Sequence, residues 1–203
     1  LNKRCHPSTE AQLFRDRTNL KTNPVSTPIA SPGRLNVVIE TPRGSRIKYK
    51  YDDKSGLFEL HKVMPAGAVF PFDFGLLRST RGADGDPLDV LALVEDPLSL
   101  GSLVEVRLIG VTEAKQTQES KTNRNDRLTG IAAASHLYKR VRSFRELGSH
   151  FLDEIESSFI AYNEMQDRKF KPLGRHNASR AMNLVRAGSA QFEEHSKKRR
   201  RES

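Results

Sequence analysis

The sequence predicts an α+β fold in which short strands come first, closing as a small barrel, and helices then pack outside it. Three observations carry this. Short β-rich runs recur between turn signals from Leu35 to Ala133, the apolar period switches to helical spacing after Gly148, and no internal repeat interrupts the order. At 203 residues the chain can bury one sizeable core and is too short for two full domains. It divides by composition into an N-terminal arm over 1–34, a folded domain over 35–187 and a basic tail over 188–203.

The arm mixes Ser, Thr, Asn, Pro and charge, with one short helical patch around Ala11 to Arg17, and reads as mostly irregular. Leu35 to Glu40 is a β-rich run stopped by the turn residues Thr41-Pro42-Arg43-Gly44. Ile47 to Tyr51 alternates apolar and cationic residues, as a strand with one wet face does. Asp52-Asp53-Lys54-Ser55-Gly56 then turns the chain into an antiparallel strand over Leu57 to Val63. Met64 to Leu77 is rich in Pro, Gly and Phe, too broken for a helix and too apolar for a wet loop, so it predicts an irregular aromatic segment across the core. Further strands are expected at Leu88 to Val94, Ser102 to Val111 and Arg127 to Ala133. Thr112 to Asp126 is polar and aperiodic and reads as an inserted loop. Phe151, Leu152, Ile155, Phe159 and Ile160 predict an amphipathic helix from Gly148 to about Glu164, and Asn177 caps a second one with Ala181, Met182 and Val185 on its apolar side.

Charge is uneven along the chain. Six cations face two acids over 1–35, thirteen face fourteen over 36–135, and fifteen face nine over 136–203, giving the net +9. A basic balance suits nucleic acid, an anionic surface or a polyanionic small substrate, and this split gives the ends and the middle different roles. The run Lys197-Lys198-Arg199-Arg200-Arg201 is read as a solvated tail, because no aromatic residues are interleaved with it for base stacking; nucleic acid is disfavoured as a partner. The single cysteine, Cys5, excludes an internal disulfide framework and a Cys-rich zinc site, and fits a reducing cytoplasm. No stretch reaches the apolar length of a membrane span and no signal-peptide core is visible; a start at Leu1 is compatible with a fragment or a processed form. The scattered His61, His136, His150 and His176 do not make a metal site by spacing.

The most informative stretch is Asp84-Gly85-Asp86-Pro87-Leu88-Asp89, three carboxylates in six residues before an apolar strand. Such crowding repels unless a cation sits among the carboxylates, and a hard divalent ion such as Mg2+ is the usual one. A solvated Asp-Gly turn is the ordinary alternative. Pro87 stiffens the segment and the third Asp already begins a strand, while the EF-hand pattern does not fit.

Val37-Val38-Ile39-Glu40, Ile47-Lys48-Tyr49, Phe70-Pro71 with Phe74-Gly75, and Asp84-Gly85-Asp86-Pro87-Leu88-Asp89-Val90, in this order, resemble the soluble family I inorganic pyrophosphatases from about Leu35 to Tyr162. The resemblance implies a five-stranded barrel of oligonucleotide-binding type with flanking helices, and Mg2+-dependent hydrolysis of pyrophosphate to two phosphates, commonly by a homo-oligomer. It also implies roles. Asp84 and Asp89 would be metal ligands, Glu40 would support metal-bound water, and Asp86 would act as general base. Lys48 and Tyr162 would bind phosphate.

The same resemblance exposes departures. Lys50 stands where a second carboxylate is expected, Lys62 replaces a phosphate-binding arginine, Phe74 a tyrosine, and Asn163 a lysine. Near Leu128 two aspartates and a lysine are expected; here Asn125 aligns with the second aspartate, Arg127 with the lysine, and only Glu119 or Ser120 lies near the first, unless Asp126 serves through a one-residue slip. Fewer anionic ligands lower divalent affinity. The expectation is a diphosphatase of weakened activity, with a phosphate- or polyanion-binding protein on the same scaffold as the alternative.

Overall fold

The structure is a computed structural model and describes residues 28–52 and 55–202. The helical patch read at Ala11 to Arg17 and Cys5 lie outside the described residues. Among the described residues, ten strands and three helices follow in the order β1 (Ile29–Ser31), β2 (Arg34–Thr41), β3 (Ile47–Asp52), β4 (Leu57–Val63), β5 (Asp73–Leu77), β6 (Leu88–Leu93), β7 (Leu103–Gln118), β8 (Lys121–Arg124), β9 (Arg127–Ala132), α1 (Phe144–Leu147), α2 (Ser149–Glu164), β10 (Arg168–Asn177) and α3 (Ala178–Glu202).

β2 is short but pairs twice. Its Val38–Thr41 half runs antiparallel to β5, and its Arg34–Val38 half runs antiparallel to the Leu103–Arg107 start of β7. β5 pairs with β6, β6 pairs in parallel with β9, and β9 returns antiparallel to β7. The result is a mixed sheet whose strands are partly ring-like, with β1, β8 and β10 added at its margins. Gly75 lets β2 and β5 close: a Cβ there would lie 2.3 Å from Val37 Cγ1 and 2.6 Å from the Val38 carbonyl oxygen. β3 and β4 form a separate two-stranded hairpin beside β2.

Two apolar clusters form on the two faces of the sheet. Leu35, Val37 and Ile39 alternate inward along β2 and meet Val90, Val106, Leu128, Ala181 and Val185. Leu91, Leu93, Ile109 and Ile131 face the other way, onto Leu152, Ile155 and Phe159 of α2. β6 thus has Val90 and Ala92 in one cluster and Leu91 and Leu93 in the other, which is why its sequence is continuously apolar rather than alternating. Truncating a side chain such as Leu91 or Ile109 to Ala would cost about 2–5 kcal/mol.

Three sequence readings need correction, and one strand carries no sequence signal. Thr112 to Asp126 is not a loop: β7 continues to Gln118 and pairs with β8 through a hairpin turned at Glu119, whose φ is +54°. Its polarity reflects a strand pair with wet faces, and polar alternation without apolar residues leaves no periodic signal. The aromatic segment is irregular only to Phe72, since Asp73–Leu77 is β5, buried except at the partly exposed Phe74. Part of the supposed arm, Ile29–Ser31, is an edge strand on β2. The Arg168–Asn177 strand, rich in cations and broken by Pro172 and Gly174, was not foreseen at all; it pairs along β7. The capping role of Asn177 is as expected, its Oδ1 accepting the Arg180 N–H at 3.0 Å.

Candidate active site

The acidic loop is held at both ends. Thr80 Oγ1 donates to the Leu77 carbonyl at 2.6 Å and accepts the Leu88 N–H at 3.0 Å, so β5 and β6 are tied across the loop. Within it, Gly82 N–H donates to the Asp86 carbonyl at 2.8 Å and Asp86 N–H to Asp84 Oδ1 at 3.2 Å, while Gly85 takes φ +94°, a left-handed value that favours glycine. The Arg81 N–H reaches the Gly188 carbonyl of α3 at 2.9 Å. The loop is therefore a fixed platform.

One cavity of about 150 Å³ gathers Glu40 from β2, Lys48 from β3, Asp89 from β6, Arg127 from β9 and Tyr162 from α2. Its remaining wall is mostly aromatic and apolar: Phe70 and Phe74 meet edge to face at 5.8 Å, Phe74 and Phe159 at 5.4 Å, and Phe70 leans on Tyr162 at 5.1 Å. Phe74, which lacks a hydroxyl, belongs to this aromatic wall. Lys48 Nζ lies 5.6 Å from the Tyr162 ring centroid. A second cavity, of about 300 Å³, carries Asp84, Asp89, Asn125 and Asp126 along with Arg81, Arg124 and Arg180. Asp89 lines both cavities, and its carboxylate is salt-bridged to Arg127.

Each predicted residue has a definite environment. Glu40 accepts the Tyr51 N–H at 3.0 Å, and burial pushes its carboxyl above the ordinary range despite the opposing pull of Lys48 and Lys50. Asp84 is also raised, by desolvation and by Asp86. Asp86 meets Lys50 Nζ at 3.0 Å, an exposed pair. Arg127 is largely buried against Asp89, Phe159 and Phe170, and burial lowers its guanidinium to about 10. Lys62 sits directly opposite Lys48 in the β3–β4 ladder and donates to Gln166 Oε1. Like charges placed opposite one another destabilise a sheet, so this pairing is better suited to holding an anion than to folding. Burial and then Arg168 and Lys48 push the Lys62 ammonium down.

The segment before β9 is different. Asp126 Oδ1 accepts the Ala114 N–H at 2.9 Å and lies 2.8 Å from Arg124 Nη2, which also lies 2.8 Å from Glu113 Oε2. Asn125 Nδ2 donates to Gln116 Oε1 at 2.7 Å. Glu119 is exposed at the hairpin tip. Asn163 is buried in α2, with Nδ2 on the Phe159 carbonyl at 2.8 Å and no partner for Oδ1. Sequence reading passed over Arg124, Glu113 and Gln166; the i, i+2 spacing of Arg124 and Asp126 and the i+4 spacing of Gln166 from Tyr162 were the available signals.

The donors suit a divalent ion in one part only. Asp84 makes no ion pair among the described residues and shares its platform with the half-exposed Asp86 and Asp89, which is a fitting donor set for a hard cation. Asp126 is already bonded, and among the described residues no three His, Cys, Asp or Glu side chains converge as a ready cage.

The family model described as inorganic pyrophosphatase matches residues 37–193. The inorganic pyrophosphatase of Thermus thermophilus is 32% identical over 177 residues, covering 86% of this chain and 98% of that protein. That of Synechocystis is 31% identical over 153 residues, covering 75% of this chain and 88% of that protein. Among solved structures, the Thermus thermophilus inorganic pyrophosphatase superposes with a TM-score of 0.74 at 31% identity, over 86% of this chain and 99% of that one, and one from Coxiella burnetii with 0.75 at 26% identity, over 82% and 99%. With the family model covering residues 37–193 and a relative 32% identical over 86% of the chain, this chain belongs to the inorganic pyrophosphatase family.

Proposed function

We propose that this protein hydrolyses inorganic pyrophosphate to two phosphates, at a rate reduced by the departures in its site. The observation that supports this most is the meeting of Glu40, Lys48, Asp89, Arg127 and Tyr162, from five separate elements, around one cavity beside the acidic platform. Phosphoryl transfer needs little covalent help from a protein, so positioning and charge neutralisation are the tasks to be assigned.

Lys48 and Lys62 hold the phosphate oxygens as point charges, Tyr162 donates its hydroxyl, and Arg127 adds a positive field from below. Asp86, exposed on the rim of the platform, takes the proton of the attacking water. Asp84 would hold Mg2+, with Glu40 acting through water and Asp89 joining only where it releases Arg127; the ion would supply Lewis acidity and acidify the attacking water. Asp126 joins that donor set only when its bonds to Arg124 and Ala114 open. The aromatic wall of Phe70, Phe74 and Phe159 keeps one side of the cavity dry, which strengthens each charge contact there.

The pairing β2–β5–β6–β9–β7–β2 supports reading the sheet as a closed five-stranded barrel of oligonucleotide-binding type. The pyrophosphatase-like unit is assigned to 35–187, and a homo-oligomer in the cytoplasm is the proposed working form; no described helix is long and apolar enough to cross a membrane. The test is phosphate release from pyrophosphate with and without Mg2+. Release that depends on Mg2+ and is lost in Asp86→Asn supports the assignment. No release at any Mg2+ concentration overturns it.

A further inference from the structure

We infer that three side chains of this protein, Lys50, Arg124 and Arg127, act as resident cations of the site, so that it takes at most one divalent ion and holds pyrophosphate without needing any. The inference rests on the pyrophosphate site proposed above and specifies how that site balances its charge.

The geometry is consistent across the cluster. Four of its carboxylates already have a cation: Asp86 has Lys50 Nζ at 3.0 Å, Asp89 has Arg127, and Asp126 and Glu113 share Arg124 Nη2 at 2.8 Å each. Glu113 is further held by Arg180 Nε at 2.6 Å. A divalent ion needs several oxygens at once from one direction, and each oxygen engaged by a guanidinium or ammonium is one it must win back. How readily it can do so depends on burial. The Lys50–Asp86 pair is 50% and 59% exposed and is easily displaced, whereas the Arg127 side chain is 10% exposed and would leave a buried cation without its partner. The Arg127 guanidinium also lies against the adjoining Phe159 and Phe170 rings, 5.4 Å and 6.0 Å from their centroids, which favours the charge where it sits. Only the Asp84 side of the platform is left open. On the phosphate side, Lys48 and Lys62 face one another across the hairpin, Glu40 lies near the first and Asp167 near the second, and neither lysine makes an ion pair among the described residues. An anion placed there meets protein cations directly, and its binding does not wait for a metal.

Two measurements on the full chain decide this, neither of which depends on turnover. In a titration with Mn2+ followed by electron paramagnetic resonance, the unaltered protein should bind no more than one ion. Lys50→Ala should bind Mn2+ about threefold more tightly, as expected for loss of an exposed competing pair. Arg124→Ala, which removes the cation of Asp126 and one of the two arginines on Glu113, should add a second bound ion, read on protein whose melting curve remains cooperative. In the second measurement, pyrophosphate titrated calorimetrically in excess EDTA should still bind. Two or more Mn2+ on the unaltered protein, or no change in either variant, or loss of pyrophosphate binding in EDTA, would each overturn the inference. Absence of phosphate release, by contrast, would remove the proposed hydrolysis and leave the counts and the EDTA titration standing.

Discussion

The two sides of the site contain similar numbers of carboxylates and use them differently. On the β5–β6 loop and the start of β6, Asp84, Asp86 and Asp89 stand on a platform fixed by backbone bonds and by Thr80, with their carboxylates facing the two cavities or solvent. On the β7–β8–β9 side, Glu113 and Asp126 are turned into the protein, onto Arg124, Arg180 and the Ala114 amide. The first side is chemically available and the second is structural. A carboxylate near a reaction centre is a ligand or a base only if its oxygens can be freed: Asp84 has no ion pair among the described residues and the Lys50–Asp86 pair is exposed, whereas Glu113 and Asp126 sit in bridges that bury their side chains.

The largest expected effect tests the available side. Asp86→Asn should lower phosphate release by at least about a hundredfold, the lower range for removing a general base, with little change in melting temperature. Lys48→Ala comes next. Loss of a charged contact worth about 1.5–3 kcal/mol should reduce kcat/KM for pyrophosphate about tenfold to a hundredfold, while Tyr162→Phe, which removes a neutral donor, should cost about fivefold. If Tyr162→Phe proved the more damaging of the two, the phosphate side would have to be redrawn around α2 instead of the β3–β4 hairpin.

The opposite pattern is expected across the site. Asp126→Asn should leave phosphate release within about threefold of the unaltered protein yet lower the melting temperature by about 5 °C, since the Arg124 network loses a charge-assisted partner worth about 1–3 kcal/mol. Loss of turnover with an unchanged melting temperature would show that Asp126 works with the platform and that the contrast between the two sides is wrong.

The platform was legible in the sequence because local chemistry makes it: Asp84 to Asp89 are contiguous, Gly85 and Pro87 shape the turn, and the apolar run after it has to be a strand buried on both faces. α2 was legible too, because Leu152, Ile155 and Phe159 keep one helical stripe, which the buried Asn163 then continues. The β7–β8 hairpin was not, since Lys115 to Arg124 carries no apolar alternation and its register depends on pairing partners. The same limit hid the fate of Asp126. Its sequence position was compatible with a metal ligand, and only the approach of Arg124 and of the Ala114 amide shows where its oxygens are committed. β10 stayed hidden because Lys169, Lys171, Pro172 and Gly174 all argue locally against a strand, while pairing with β7 overrides them.

The smallest effect separates the two sides by the sign of their response to pH. Burial raises the Glu40 carboxyl, so the folded chain holds that proton more tightly than the unfolded chain, and the associated stability is present at low pH and lost as pH rises from the ordinary 4.5 through the raised value. For Glu113, burial works in the same upward direction, but the hydrogen bonds from Arg124 and Arg180 outweigh it and the carboxyl lies below the ordinary range. Its contribution is present above 4.5 and lost as pH falls through the lowered value. Metal-free Glu40→Gln should therefore melt about 2 °C above the unaltered protein at neutral pH, with the gain shrinking on acidification, as an amide oxygen still accepts the Tyr51 N–H without the buried charge. Glu113→Gln should melt below the unaltered protein at neutral pH and converge with it on acidification. Melting curves of the two variants that ran parallel across this range would mean that Glu40 is not strained by its burial, and the available side of the site would then have no stored cost for a cation to relieve.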